Sequence, residues 1–462
     1  MPKNPAKDIN ALLKKLPEGP VLIAVADIDG VLRGKRISKA KLKSALKNGL
    51  GFCNVVFGWD VEDQPYDNTQ ISGWHTGYPD AKVQLDPTTL RNVPWDGDIP
   101  FLIGDFEGGA AADACPRTAL KRVLAKAEQM GYTVNSAIEY EWFTFAETPH
   151  SLAAKQGAKP TPATPGMHGY SMIRSTSLPG YTEDLWTNLG AFGVPLEGMH
   201  TETGPGVYET AIHYTHGIDA ADRAACFKLG VKQLSLKHDL IAGFMAKWTE
   251  DLPGCSGHFH QSLADKKTGE NLFAKSSRKH GTSKLMDAYL AGQLYWLPKL
   301  LPFFAPTVNS YKRLVPGSWA ATNVSWGVDN RTTAFRVIAG DAKSTRLETR
   351  IPGADSNPYL VMAAGIAAGL YGIENKLSRN STGPAALKQK ATTGNAYGAK
   401  NLAPLSTNLA EAVNVLKAAR KEVGTLLGQT FVDHFIATRE WEWRQSEQAV
   451  TDWERRRYLE II

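Results

Sequence analysis

Residues 135–145 read NSAIEYEWFTF. β-Branched and aromatic side chains dominate the stretch and predict a strand. Within it Glu139 and Glu141 stand two apart, so an extended chain points both to one face, roughly 6–7 Å from each other. The flanking Tyr140, Trp142 and Phe143 favour burial. Two buried carboxylates on one face repel, and the arrangement calls for positive charge from elsewhere in the chain.

Four more segments set charge or imidazole at strand-like spacing. HTETGPGVYE (200–209) carries Glu202 and Glu209 on either side of a Gly-Pro-Gly turn, and GCSGHFHQSL (254–263) puts His258 and His260 on one face. TRLETR (345–350) alternates Arg346, Glu348 and Arg350 against Thr345, Leu347 and Thr349, and DNRTTAFR (329–336) supplies Arg331 and Arg336. Each has an ordinary explanation alone: a solvated strand face, a satisfied core histidine, a surface ladder of ion pairs. Together they share a chemistry. Several carboxylates and an imidazole without cysteine suit Mg²⁺ or Mn²⁺ rather than structural zinc. Clustered guanidinium groups suit phosphate and carboxylate oxygens, which they bind in pairs without losing charge. Divalent metal plus arginine is the equipment of phosphoryl transfer. No GxxxxGK[ST] loop is present, so the nucleotide site has to be built on a sheet.

The rest of the chain sets bounds. Its 462 residues, 43% hydrophobic and 21% charged, have soluble composition and room for two or three domains. Net charge is +6, but the 52 basic residues are interleaved with 46 acidic ones, with no basic and aromatic block that would argue for nucleic acid. Cys53, Cys115, Cys226 and Cys255 have no CxxC spacing, as expected of reduced thiols in a cytoplasm. The polar leader 1–18 lacks the apolar core of a secretory signal. YLVMAAGIAAGLYGI (359–373) is too short to span a bilayer and reads as a buried helix. VLIAVADIDGVLRGKRIS (21–38) predicts a hairpin about Asp29-Gly30, SKAKLKSALKNG (38–49) a short helix stopped at Gly49, and Pro116–Gly131 an amphipathic helix. EGGAAADA (107–114) marks a domain boundary. Long helices are expected near 219–247, 284–302, 357–377 and 408–426, with surface loops at 153–166 and 382–405.

The segments ExE at 139–141, ETGPGVYE, GHFHQSL, NSYKRLVPG, NRTTAFR, KSTRLETR and NPYLVMAA resemble, in order and approximate spacing, the glutamine synthetase superfamily. The resemblance spans nearly the whole chain. It implies an α+β fold with a small N-terminal β-grasp domain (19–110) and a C-terminal catalytic domain of curved antiparallel sheet with helices (111–462). It also implies two stacked rings of six subunits, a dodecamer with each active site between neighbours. Carried over by position, Glu141, Glu202 and Glu209 resemble ligands of the metal beside the glutamate site. Glu139, His258 and Glu348 resemble ligands of the metal that holds the ATP phosphates, in a site taking two or three Mg²⁺ or Mn²⁺ ions. Arg313 and Arg350 match glutamate-carboxylate binders, Arg331 and Arg336 phosphoryl-transfer arginines, and Gly254 the substrate loop. His260, Ser262, Lys343, Arg346, Glu197 and Tyr214 fall on nucleotide positions.

The chain departs from the pattern where ammonium would bind. GFCNVVF (51–57) has Cys53 where the family's loop carries aspartate and Val56 where it carries serine. LVPGSW (314–319) has Trp319 in place of a glutamate. An anionic cage becomes apolar surface, which suits the carbon-bearing end of an organic amine. The expected activity is therefore ATP-dependent joining of the glutamate γ-carboxylate to a small organic amine. Glu202 is the expected base, with Asp60 or Asp63 as alternatives. Two other readings stay open, a divergent glutamine synthetase using ammonium and an inactive structural member of the superfamily.

Overall fold

The Asp29-Gly30 hairpin forms as the sequence predicts, and a six-stranded sheet grows from it. The structure, a computed structural model, describes residues 13–14, 16–378 and 390–462. Most of the polar leader and the first part of the 382–405 loop lie outside the described residues. Pro20–Ala26 pairs antiparallel with Leu32–Ser38 and parallel with Ile99–Phe106, and Asp80–Leu85 and Leu50–Cys53 extend the sheet. Arg91–Val93 pairs with Ile99–Phe106 as well. Helix Lys39–Asn48 is capped by the Ser38 hydroxyl and ends at Gly49, whose φ of 76° is a backbone setting that glycine adopts without strain. Hairpin, helix and parallel return strand make the β-grasp arrangement.

Strand alternation divides this sheet between two cores. Val21, Ile23 and Val25 pack into a small cluster with Leu42, Leu46 and Phe57. Ala24, Ala26, Phe101 and Ile103 face the other way and join the main core.

The second sheet has nine strands. Tyr132–Phe145 is its spine, with Gly257–Asp265 on one side and Val207–Ile212, then Leu196–Thr201, on the other. Beyond Gly257–Asp265 lie Arg346–Thr349, Phe335–Ile338 and Trp326–Val328. The last two run parallel, a departure from the expected antiparallel pattern. Ile138, Tyr140 and Trp142 are buried beneath the spine, where Trp142 stacks on Tyr208 and Tyr140 on Phe227. The opposite face carries Glu139 and Glu141.

Helices Asp219–Lys237, Lys284–Phe304 and Pro358–Glu374 supply much of the main core. Pro358–Glu374, apolar on nearly every side, is buried along its length as its composition requires. Among the described residues, no helix is long and apolar enough to cross a membrane. The helix expected over 219–247 stops at Lys237, because Asp239 adopts φ of 54° and Ile241–Gly243 then pairs with the spine as a strand. The helix expected over 408–426 is two, Leu409–Ala418 and Arg420–Leu427, and it is followed by an unforeseen helix, Gln429–Gln448.

Candidate active site

Strand register assembles the site. Glu141 lies opposite Glu209, and Glu209 lies opposite His200. Glu139 lies opposite His258, while Glu348 is flanked by His260 on one neighbour and Arg336 on the other. Like charges directly across a pair of strands are destabilising, so the Glu141/Glu209 pairing is not there for the sheet's sake.

Of these side chains, Glu139, Glu141, Glu209, His258, Arg336 and Glu348 line a cavity of about 420 Å³ together with Glu202, Thr203, Pro253, Gly254, Ser256, Ser318, Trp319, Arg331, Arg350 and Tyr170. Arg336 Nη1 donates to Glu348 at 3.0 Å and Arg350 Nη1 donates to the other Glu348 oxygen at 2.5 Å. Arg350 Nε donates to the Arg331 carbonyl, which ties the arginine loop to the strand. Arg346 Nε donates to His260 Nδ1 at 3.2 Å, so the opposite nitrogen, Nε2, carries the proton that faces Glu139 at 2.9 Å. Gly254 has no room for a side chain: a Cβ there would lie 2.2 Å from the Ala246 carbonyl oxygen.

The electrostatics are those of an excess of buried anions. Burial pushes Glu209 up to about 12, helped by a hydrogen bond shared with Glu139 and by the charges of Glu141, Glu139 and Glu202. Burial also raises Glu141 to about 7, against the pull of Arg313 and of the Ser256 N–H that donates to it. Burial opposes ionisation of Glu139 too, but the nearby His258 ring and the hydrogen bond from His260 outweigh it and hold this carboxyl well below the usual range. Glu348 is brought to about 2 because Arg350 and the neighbouring histidines overcome its burial. His258 falls to about 4, first through burial and then through Arg350.

The donors fit divalent cations. Ligand atoms converge in three sets, Glu139/Glu209/His258, Glu139/His260/Glu348 and His200/Glu202/Glu209, each within 4.8 Å. His258 Nδ1 also lies 3.6 Å from Glu348 and 3.9 Å from Glu139, while its Nε2 is buried without a hydrogen-bond partner among the described residues. Oxygen-rich donors with neutral imidazole and an orphaned ring nitrogen match a hard cation.

The sequence assignments divide accordingly. Glu139, Glu141, Glu202, Glu209, His258, Glu348, Arg331, Arg336, Arg350, Gly254 and Trp319 are brought to one cavity. Arg313 is placed behind its wall, its guanidinium donating to Ile351 O, Arg350 O and Ser256 Oγ. His260 and Arg346 adjoin through Glu139, but Ser262, Lys343, Glu197 and Tyr214 stand outside the cavity, where Tyr214 stacks on His213 and is exposed. Val56 is 2% exposed: the turn Asn54–Phe57 directs it into the small core, so it offers no wall to a ligand. Cys53 Sγ contacts Tyr78 O, also away from the cavity. Within one chain Asp60 and Asp63 do not fold inward, since Asp60 accepts backbone N–H groups of its own loop and Asp63 pairs with Arg33 at 2.9 Å.

Sequence reasoning missed His200 and Tyr170. Their rings stack at 4.3 Å, and His200 Nε2 is 3.3 Å from Glu209. His200 was within reach, two residues before Glu202 on a predicted strand; Tyr170 arrives through a loop bonded to Thr201, which no periodicity announces.

Comparison with known proteins agrees with this geometry. Residues 113–458 match the family described as glutamine synthetase, catalytic domain. The chain is 46% identical to type-1 glutamine synthetase 2 of Dictyostelium discoideum, over 99% of this chain and 87% of that protein. It is 36% identical to the glutamate–isopropylamine ligase of a Pseudomonas species, over 96% and 95%. A solved GmaS/ADP complex superposes with a TM-score of 0.82 at 28% identity, over 98% of this chain and 99% of that one. The chain belongs to the glutamine synthetase family.

Proposed function

We propose that the protein is an ATP-dependent ligase that joins the γ-carboxylate of glutamate to an organic amine, giving a γ-glutamylamide, ADP and phosphate. The observation that carries this reading is Trp319. It lines the same cavity as Arg331, Arg336 and Glu202, is 58% exposed, and holds φ of 59°, a conformation a bulky residue rarely adopts away from a functional site. A broad apolar ring beside acidic donors suits the carbon-bearing part of an amine, worth about 0.8 kcal/mol per buried CH₂. The relative named glutamate–isopropylamine ligase supports the same reading.

In the proposed reaction a γ-carboxylate oxygen attacks the terminal phosphorus of ATP and ADP leaves, forming γ-glutamyl phosphate. The amine nitrogen then attacks the carbonyl carbon, loses a proton to Glu202, and phosphate departs. Arg331 and Arg336 meet the phosphoryl oxygens, and Arg350, backed by Arg313, meets a glutamate carboxylate. Mg²⁺ or Mn²⁺, held by Glu139, Glu141, Glu202, Glu209, His258 and Glu348, supplies charge neutralisation for ATP when bound. A dodecamer in the cytoplasm, with Cys53 of one subunit near the site of the next, belongs to the same proposal, and light scattering tests the assembly.

The relative named glutamine synthetase favours a second reading, in which ammonium is the acceptor. The convergent donors and arginines argue against an inactive scaffold. Phosphate release with ATP and glutamate, across a panel of methylamine, isopropylamine, ethanolamine and ammonium, decides between the two active readings. An alkylamine is expected to exceed ammonium at least tenfold in kcat/KM, a preference of about 1.4 kcal/mol. Parity between ammonium and every amine overturns the proposal.

A further inference from the structure

Arg313 and Arg350 stand on separate segments, and the fold ties those segments together at two points. One is Arg313 itself. From the one-turn helix Ser310–Arg313 its Nη1 donates to Ile351 O at 2.9 Å, and its Nη2 donates to Ser256 Oγ at 2.8 Å and to Arg350 O at 3.3 Å. The other is Asp355, farther along the segment that carries Arg350. Its Oδ2 accepts from Ser310 Oγ at 2.5 Å and from Thr307 Oγ1 at 2.9 Å. The carboxylate folds back over its own segment and leaves no room for a side chain at Gly353, where a Cβ would lie 2.3 Å from Asp355 Oδ1. That Oδ1 is buried without a hydrogen-bond partner among the described residues, a penalty that an apolar side chain here would avoid. The fold alone gives no reason for an acid at this position.

We propose that Asp355 is a positioning residue for the glutamate side of the site. It holds the Ser310 turn against the Arg350 segment and so fixes Arg313, and Arg313 in turn fixes Arg350 and Ser256, which line the catalytic cavity. A hydroxyl donating to a carboxylate makes a short, charge-assisted bond, which sets the turn more tightly than a neutral pair would. The ATP side depends on this turn less directly, since Glu348 also accepts from Arg336 and Glu139 lies beside His260, both on strands outside the turn. The inference rests on the reading in which Arg350 meets a glutamate carboxylate.

Steady-state phosphate release, with the nitrogen donor that the wild type turns over fastest, reads the effect. Asp355→Ala is expected to raise KM for glutamate roughly tenfold, the scale for losing a hydrogen bond to a charged group, with KM for ATP changed by less than about twofold. Asp355→Asn keeps an acceptor oxygen and should recover most of the loss. Ser310→Ala, a smaller change that serves even where Asp355→Ala folds poorly, should raise KM for glutamate in the same direction. The double variant should be no worse than Asp355→Ala, because both substitutions act through one contact. In an enzyme that turns over glutamate, an unchanged glutamate KM in both single variants, or a rise shared equally by the KM for ATP, overturns the positioning role. A wild type that releases no phosphate in response to glutamate instead overturns the reading of the reaction on which that role rests.

Discussion

Two of the protein's buried ionic clusters are built on opposite plans. In one, Arg117 is fully buried and donates to Asp222 through two nitrogens, to Asp105 at 2.5 Å and to Asp86 at 2.9 Å. Lys121 joins Asp86 and Asp105, and the Tyr359 hydroxyl donates to Asp222 at 2.7 Å. These groups come from the N-terminal sheet and three helices, so the cluster fastens the two sheets' layers together. Its anions each have a cation or donor, and Asp86 is held well below its usual range, with burial overcome by the Thr88 hydrogen bond and the Arg117 charge. In the other cluster, carboxylates face carboxylates, Glu209 is pushed up to about 12 and His258 down to about 4. A closed cluster holds the fold together; an open one waits for charge to arrive with ligands.

The largest effect should come from opening the closed cluster. Arg117→Ala leaves Asp222, Asp105 and Asp86 without their shared cation, and breaking a buried pair in this way costs about 3–5 kcal/mol. Urea unfolding measures it. A loss below about 1 kcal/mol would mean the cluster is not what joins the layers.

Removing an arginine from the open cluster should do the reverse, costing activity rather than stability. Arg336→Ala is expected to lower kcat by about 10²–10³, the scale for one lost transition-state donor. The midpoint of unfolding should shift little, because Arg336 is partly exposed and shares Glu348 with Arg350. A variant altered only in KM for ATP would show that this arginine binds without acting on the phosphoryl group.

Divalent cation should close the open cluster. Mg²⁺ or Mn²⁺ at about one hundred times its Kd should stabilise the fold by about 2.7 kcal/mol. Calorimetric melting with and without chelator reads the shift, and Glu209→Ala should remove most of it. Identical melting curves for the wild type in cation and in chelator would contradict the metal assignment.

A smaller change tests the amine side. Trp319→Glu adds a carboxylate to a cavity that already has too many, so it should cost some affinity for alkylamine while restoring an anionic partner for ammonium. The expected result is a roughly tenfold narrowing of the amine-over-ammonium ratio, about 1.4 kcal/mol. A ratio unchanged in Trp319→Glu would remove Trp319 from the amine pocket.

The two clusters were unequally legible in the sequence. The open one announces itself because carboxylates at i and i+2 in aromatic strands violate the expected pattern, and strand period alone puts Glu139 with Glu141, His258 with His260, and Arg346 with Glu348 and Arg350 on shared faces. The closed one is invisible: Arg117 reads as an ordinary polar position in a helix, and its partners lie 12 to 105 residues away on elements whose packing no local pattern encodes. The same limit explains Val56, which a motif comparison sets at a binding position and a single short turn sends into the core. It also explains Tyr170, carried to the cavity by a loop. Periodicity reports which face a side chain takes; it does not report what the face meets.

The smallest effect concerns pH and the rim of the closed cluster. Asp86 Oδ2 accepts from Arg117 and Lys121 while Oδ1 accepts from Thr88, and the carboxyl is only partly shielded from solvent. Its folded pKa lies below the unfolded value of 3.8, so the stability it contributes is fully present above about pH 4 and is lost as pH falls toward the folded value. Asp86→Asn keeps the shape and removes the titration. At pH 7 the variant should be less stable by about 1 kcal/mol, a modest figure for a half-shielded pair that retains its Thr88 contact. Below pH 4 the gap should narrow, because the wild type begins to protonate the group that the variant lacks. Urea unfolding of both proteins at pH 7, 5, 4 and 3 isolates this one carboxyl, since the other titrating groups are common to the pair and cancel in the difference. Parallel stability curves across that range would mean that Asp86 gains nothing from Arg117 in the folded state, and the closed cluster would then rest on Asp222 and Asp105 alone.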